Sequence, residues 1–149
     1  MKKTIIVLAV ILMSVTSFSS CKCLSGKKAE KEQSGYMDLK GTTWVLKSVG
    51  ERAFKKIDGM DADHIELQIT AEGYFSTSDG CNNQGGVFTQ NGSAISMTEI
   101  KETKRYCGPE FMKQAYGISF HKVTQFSVQS GILQLLNENG QVLAEYTKK

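Results

Sequence analysis

Three dipeptides constrain this chain more than any other feature: Asn91-Gly92, Ser130-Gly131 and Asn139-Gly140. A tight turn between two adjacent strands demands backbone with positive φ, which Asn and Gly tolerate best, so these pairs read as antiparallel hairpins. The end of the chain runs 125–129, turn, 132–137, turn, 141–147, which is a three-stranded meander. Upstream, residues 64–70 alternate cleanly. Ile65, Leu67 and Ile69 share one face, and Glu66, Gln68 and Thr70 the other, the mark of a half-buried strand. Further strands are expected over 43–49, 74–77, 86–90 and 94–97, with a short one at 53–57 and a continuation at 100–103. Turns at this spacing predict an antiparallel sheet curled into a barrel or part of one.

One segment breaks the pattern. Pro109, the single proline, fits the first position of a helix, and Glu110 complements the positive helix end. The helix is expected over 111–123. Met112, Tyr116, Phe120 and Val123 recur at helical spacing, and that face is expected to pack on the concave side of the sheet. Gly117 weakens such a helix by about 1 kcal/mol against Ala and is expected to let a strand approach. The fold class is therefore α+β, mostly antiparallel β.

The N-terminus reads as an address. Lys2 and Lys3 precede a mostly apolar run over 5–15, then a Ser/Thr stretch and Cys21. Such a run is a secretory signal, too short for a spanning helix of roughly 20 residues. Phe18-Ser19-Ser20-Cys21 resembles the lipobox of bacterial lipoproteins, with small residues before the acceptor cysteine. The resemblance implies removal of residues 1–20 and lipidation of Cys21, with each buried lipid CH₂ contributing about 0.8 kcal/mol to anchoring. Lys22 after that cysteine, where Asp would retain a protein at the inner membrane, implies the outer membrane, facing the periplasm. Residues 21–37 are polar and charged, a tether from lipid to the domain at 38–149.

The chain's 149 residues suit one domain, and 40% hydrophobic with 22% charged residues excludes a disordered one. Net charge is +3, or +1 without Lys2 and Lys3, which argues against nucleic-acid binding. No cofactor is expected, and the domain is expected to be a monomer.

Residues 80–86 are the most unusual stretch. Gly80 and Gly85 stand as in a phosphate-binding loop, but the Lys-Ser/Thr and the following helix are missing. The glycines are expected to bend the backbone between strands, with Asn82 or Asn83 in a turn. Cys81 and Cys107 carry two readings. In an exported protein they pair as a disulfide. Alternatively Cys107, near a helix N-terminus with Lys104 and Arg105 before it, is a reactive thiol. Cys23 would remain on the tether. His64 and His121 lack a catalytic context, and no spacing supports a metal site. Asp58, Asp61, Asp63 and Glu66 read as a solvated acidic loop rather than a calcium loop.

The residues resemble the META-domain, or HslJ-like, family of heat-inducible lipoproteins. Leu39-Lys40-Gly41-Thr42-Thr43-Trp44 is similar to the family's opening. Gly80-Cys81-Asn82, with Gly85 and Gly86 after it, resembles its Gly-Cys-Asn landmark. Thr103, Lys104, Arg105, Cys107 and Pro109 resemble the stretch leading into its helix. Residues 132–135 and 141–143 fit its closing hairpin. The resemblance implies a curved half-barrel sheet wrapped around one α-helix, and no established reaction. It implies a non-enzymatic envelope lipoprotein in stress or assembly, holding a protein partner at a strand edge or an apolar ligand between sheet and helix. Trp44, Phe75, Phe88, Met112, Tyr116 and Phe120 are the candidate groove, the alternative being that all six are simply core. The alternatives are a thiol-dependent enzyme or redox protein centred on Cys107, and an inhibitor-like module that inserts residues 80–86 into an enzyme.

Overall fold

The computed structural model describes residues 36–60 and 62–149. The expected signal segment, Cys21, Cys23 and nearly all of the tether lie outside them, as does Asp61. Nine strands follow in order: β1 (Thr42–Val49), β2 (Arg52–Ala53), β3 (Glu66–Ile69), β4 (Tyr74–Ser78), β5 (Asn83–Asn91), β6 (Ala94–Glu102), β7 (Gln125–Gln129), β8 (Ile132–Leu136) and β9 (Val142–Lys148). A short helix, α1 (Pro109–Gln114), and a 3-10 turn (Phe120–Lys122) fill the stretch between β6 and β7.

Each strand from β3 onward pairs antiparallel with the next, and the two ends of the meander then meet. β9 pairs with β1 from Trp44–Lys148 to Val49–Ala144, while β3 holds the other side of β1. The sheet is thus ring-like, and its concave face is the core. Side-chain alternation delivers that core. Trp44, Leu67, Leu133, Leu135, Ala144 and Tyr146 point inward and are fully buried. Leu39 seals one end, held through Gln90, whose amide accepts from Leu39 N–H (3.0 Å) and donates to the Met37 carbonyl (2.9 Å). The Tyr146 hydroxyl lies beside Thr77 with no hydrogen-bond partner among the described residues, and burial pushes its pKa upward.

The expected long helix is the main correction. It ends at Gln114, and Ala115 already has extended backbone (φ −51°, ψ 145°). Tyr116, Ile118 and Phe120 are all buried, a period of two rather than four. Tertiary contacts take this segment from the helix. Tyr116 N–H donates to the Asp79 carbonyl (2.8 Å), and its hydroxyl accepts from Lys55 N–H (2.7 Å). The Arg52 guanidinium sits 4.0 Å above its ring. Phe111, not Met112, is the inward residue of α1, and Met112 is 44% exposed. A Cβ at Gly117 would meet nothing within 4 Å, so no strand approaches there.

Outer-face ion pairs link strands that are distant in sequence. Glu145 accepts from Gln134 (2.8 Å) and Lys47 (3.0 Å), and these bonds hold its carboxyl below the usual range. Lys149 and then His64 do the same for Glu66. A lowered folded-state pKa contributes stability above the unfolded value of about 4.3, which is lost as pH falls through the folded value. Urea midpoints measured from pH 7 to pH 3 should therefore drop on acidification, and Glu145→Gln should flatten that drop.

Candidate functional site

The Gly-Cys-Asn stretch folds into a clamp. The Asp79 carboxylate accepts from Cys81 N–H (2.7 Å) and Asn82 N–H (2.6 Å), closing the turn after β4. That turn aims the Asn82 side chain, itself buried, at the segment leaving β6. Asn82 Oδ1 accepts from Arg105 N–H (2.6 Å) and Thr103 Oγ1 (3.0 Å), and Nδ2 donates to the Arg105 carbonyl (3.2 Å). Cys81 is disulfide-bonded to Cys107, with Cα atoms 6.1 Å apart. Covalent and hydrogen bonds thus fix residues 103–107 against the turn. The disulfide joins the loop after a strand to the start of the helix, as read from compartment, and it leaves no free thiol at Cys107. Sequence reasoning gave Asn82 only a turn role. Its amide makes a two-way bond to one backbone unit, and a partner 23 positions away carries no local signal.

Gly86 lies in β5, within the strand expected over 86–90, and β5 begins earlier, at Asn83, so Gly85 is in the strand too rather than in the bend expected before it. The register there runs from Gly85–Lys101 to Val87–Thr98, so two residues of β6 stand opposite Gly86. This is a β-bulge. A Cβ on Gly86 would fall 2.3 Å from the Thr98 carbonyl oxygen, which only glycine permits. Glu99 absorbs the extra residue with left-handed backbone (φ 50°), an uncommon conformation for a residue with a side chain.

β6 runs on past the point where β7 begins. It pairs with β7 only at Ala94–Gln125, and Ile95 N–H donates to the Thr124 carbonyl (2.9 Å). Antiparallel ladders repeat every two residues. Met97 therefore turns its N–H and carbonyl to the same side, where no strand meets it among the described residues. A cleft of about 590 Å³ opens there, between β6 and residues 118–124. Ile95, Met97, Ile100, Ile118, Phe120 and Val123 give it an apolar lining. The Thr124 hydroxyl, at its margin, is buried without a hydrogen-bond partner among the described residues.

The six candidate groove residues do not line one cavity. Trp44, Phe75, Phe88, Tyr116 and Phe120 are core residues, each no more than 5% exposed. Phe120 reaches the cleft beside β6, and Phe75 a separate one over Gly85 and Gly86, its ring 5.3 Å from that of Phe120. Met112 borders a third, at the surface. His64 contacts Glu66, Asp63 pairs with Lys56, and no cluster of metal-binding side chains occurs among the described residues.

A closed meander of short strands, stapled by one disulfide and carrying a Gly-Cys-Asn clamp, defines a small β-domain class. The META domain model matches residues 37–149, and the chain belongs to the META-domain family. The solution structure of a Burkholderia xenovorans protein shares the fold at TM-score 0.53 and 18% identity, over 74% of this chain and 83% of that one. A second solution structure has TM-score 0.50 and 17% identity, over 71% and 87%. No curated protein matches the chain.

The clamp and the bulge have separate signatures. Asn82→Ala should lower stability by about 1–3 kcal/mol, read as a fall in Tm. Gly86→Ala should cost about 1–3 kcal/mol through steric overlap, whereas Gly117→Ala should stay within about 0.5 kcal/mol of wild type.

Proposed function

We propose that this chain is a non-enzymatic lipoprotein of the bacterial cell envelope whose META domain holds a partner protein at the free edge of β6. The observation that carries the reading is β6 itself. It is nine residues long, it is paired with β7 at one position, and it borders an apolar cleft with backbone facing in that is unpaired among the described residues. An edge of this kind accepts an extended peptide as an added strand, with backbone bonds giving affinity and alternate side chains entering the cleft. A small apolar ligand inside the ring is less well supported, because the concave face is filled by its own aromatic residues. The disulfide fits an oxidising compartment, and the lipobox at Cys21 fits an anchor facing it. With the Cys107 sulfur bonded, the thiol-enzyme alternative has no nucleophile at that position.

A random-peptide display on the oxidised chain lacking residues 1–21 tests the reading. Selected peptides should alternate apolar and polar residues. Methylating alternate peptide amides should weaken binding about fivefold or more per blocked amide. Amide signals of Ile95, Met97 and Glu99 should shift on binding. Peptides that bind without dependence on their own amides, or that shift only signals far from β6, would overturn it.

A further inference from the structure

We infer that the stapled loop between β6 and α1 is a membrane-surface contact, which lays the domain on anionic lipid headgroups. The inference goes beyond partner binding at β6 and takes only its setting from the proposed lipid anchor.

Four large hydrophobic side chains stand exposed among the described residues, and two of them, Tyr106 (75%) and Met112 (44%), border one shallow cleft. Lys104 and Arg105 border it with them. A tyrosine and a methionine beside two cations form an interfacial combination. The apolar bodies enter the headgroup layer while the charges meet lipid phosphates.

Charge complementarity favours lipid. Neither Lys104 nor Arg105 makes an ion pair among the described residues. Two carboxylates, Asp79 and Glu102, border the same cleft and keep their charge, but their hydrogen bonds turn them to other groups. Glu110 pairs with Lys113 (2.8 Å), Glu102 accepts from Gln84 (3.1 Å), and the Asp79 carboxylate faces its own turn. Residues 101–113 hold four basic and two acidic side chains, and with Asp79 at the same cleft the local balance is +1.

Rigidity distinguishes this patch from a mobile surface loop. The disulfide and the three Asn82 hydrogen bonds fix the backbone on either side of Tyr106. Little ordering entropy is then lost when the loop meets a surface. The Gly-Cys-Asn clamp acquires a purpose on this account, because it holds an otherwise irregular loop outward.

The test uses the oxidised chain lacking residues 1–21. The described core lies wholly between Leu39 and Tyr146, so this truncation removes none of it. The probes are vesicles of phosphatidylglycerol with phosphatidylethanolamine, compared with phosphatidylcholine alone. Sedimentation should show binding to the anionic vesicles that falls with salt. Lys104→Ser and Arg105→Ser should each weaken it about fivefold, and Tyr106→Ser should weaken it further. Trp44 is fully buried and is the single tryptophan, so Tyr106→Trp supplies a clean second probe. Its emission should shift to the blue on anionic vesicles. Loop variants that bind as wild type, or a Tyr106→Trp emission unmoved by vesicles, would overturn the inference. So would binding that vanishes entirely when Lys22, Lys27, Lys28 and Lys31 become Ser. Capture of acidic proteins without vesicle binding would overturn it as well. Mass analysis of Cys21 in the full chain tests the anchor separately, so the two readings fail independently.

Discussion

The pairing of β9 with β1 is the interaction on which the rest depends. It joins the last strand to the first, closing a sheet that otherwise runs from β1 to β3 and then strand by strand to β9. Once those ends are joined, every inward side chain faces another, and Trp44, Leu133 and Tyr146 lose contact with water together. Without it, β1 and β9 would each expose an edge, and the concave face would open. Burial of that face supplies the driving force, and the hydrogen-bonded ring fixes its shape.

Closure on one side sits beside looseness on another. β7 begins at Gln125, opposite Ala94, so the rest of β6, with its bulge opposite Gly86, lies beside residues 118–124, which form no strand. The family landmarks sit around this stretch. Gly86 permits the bulge, Asn82 clamps the chain as it leaves β6, and Cys81 bonds to the start of α1. Residues that resemble a phosphate loop in one dimension are thus parts of a joint. Beside the joint lie two outward features, a strand edge left unpaired among the described residues and a stiff basic-aromatic loop. A small domain with a filled core can engage other molecules through such features alone.

How much could be read in advance follows from how far each signal reaches. Strands β3, β7, β8 and β9 were legible because alternation and Asn-Gly or Ser-Gly turns act over a few residues. The start of α1 was legible from Pro109, but its end was not. Met112, Tyr116, Phe120 and Val123 fit a helix on paper. Ile118 fits a strand-like path with Tyr116 and Phe120, and only the bonds from Tyr116 to Asp79 and Lys55 decide between them. Of the candidate site, the pairing of Cys81 with Cys107 could be argued from compartment. The Asn82 clamp could not, since its partner Arg105 lies 23 residues away.

The sequence alone determined the antiparallel class, the hairpin positions and the inward faces of the strands, and its resemblance reached the family. These follow from backbone preference and periodicity, which each short stretch carries within itself. Tertiary structure decided the joining of β1 to β9, the bulge in β6, the extended path after α1, and the exposure of Met112 and Tyr106. Each of those depends on which distant backbone group completes a hydrogen bond or fills a space. That choice is made only when the whole chain folds together.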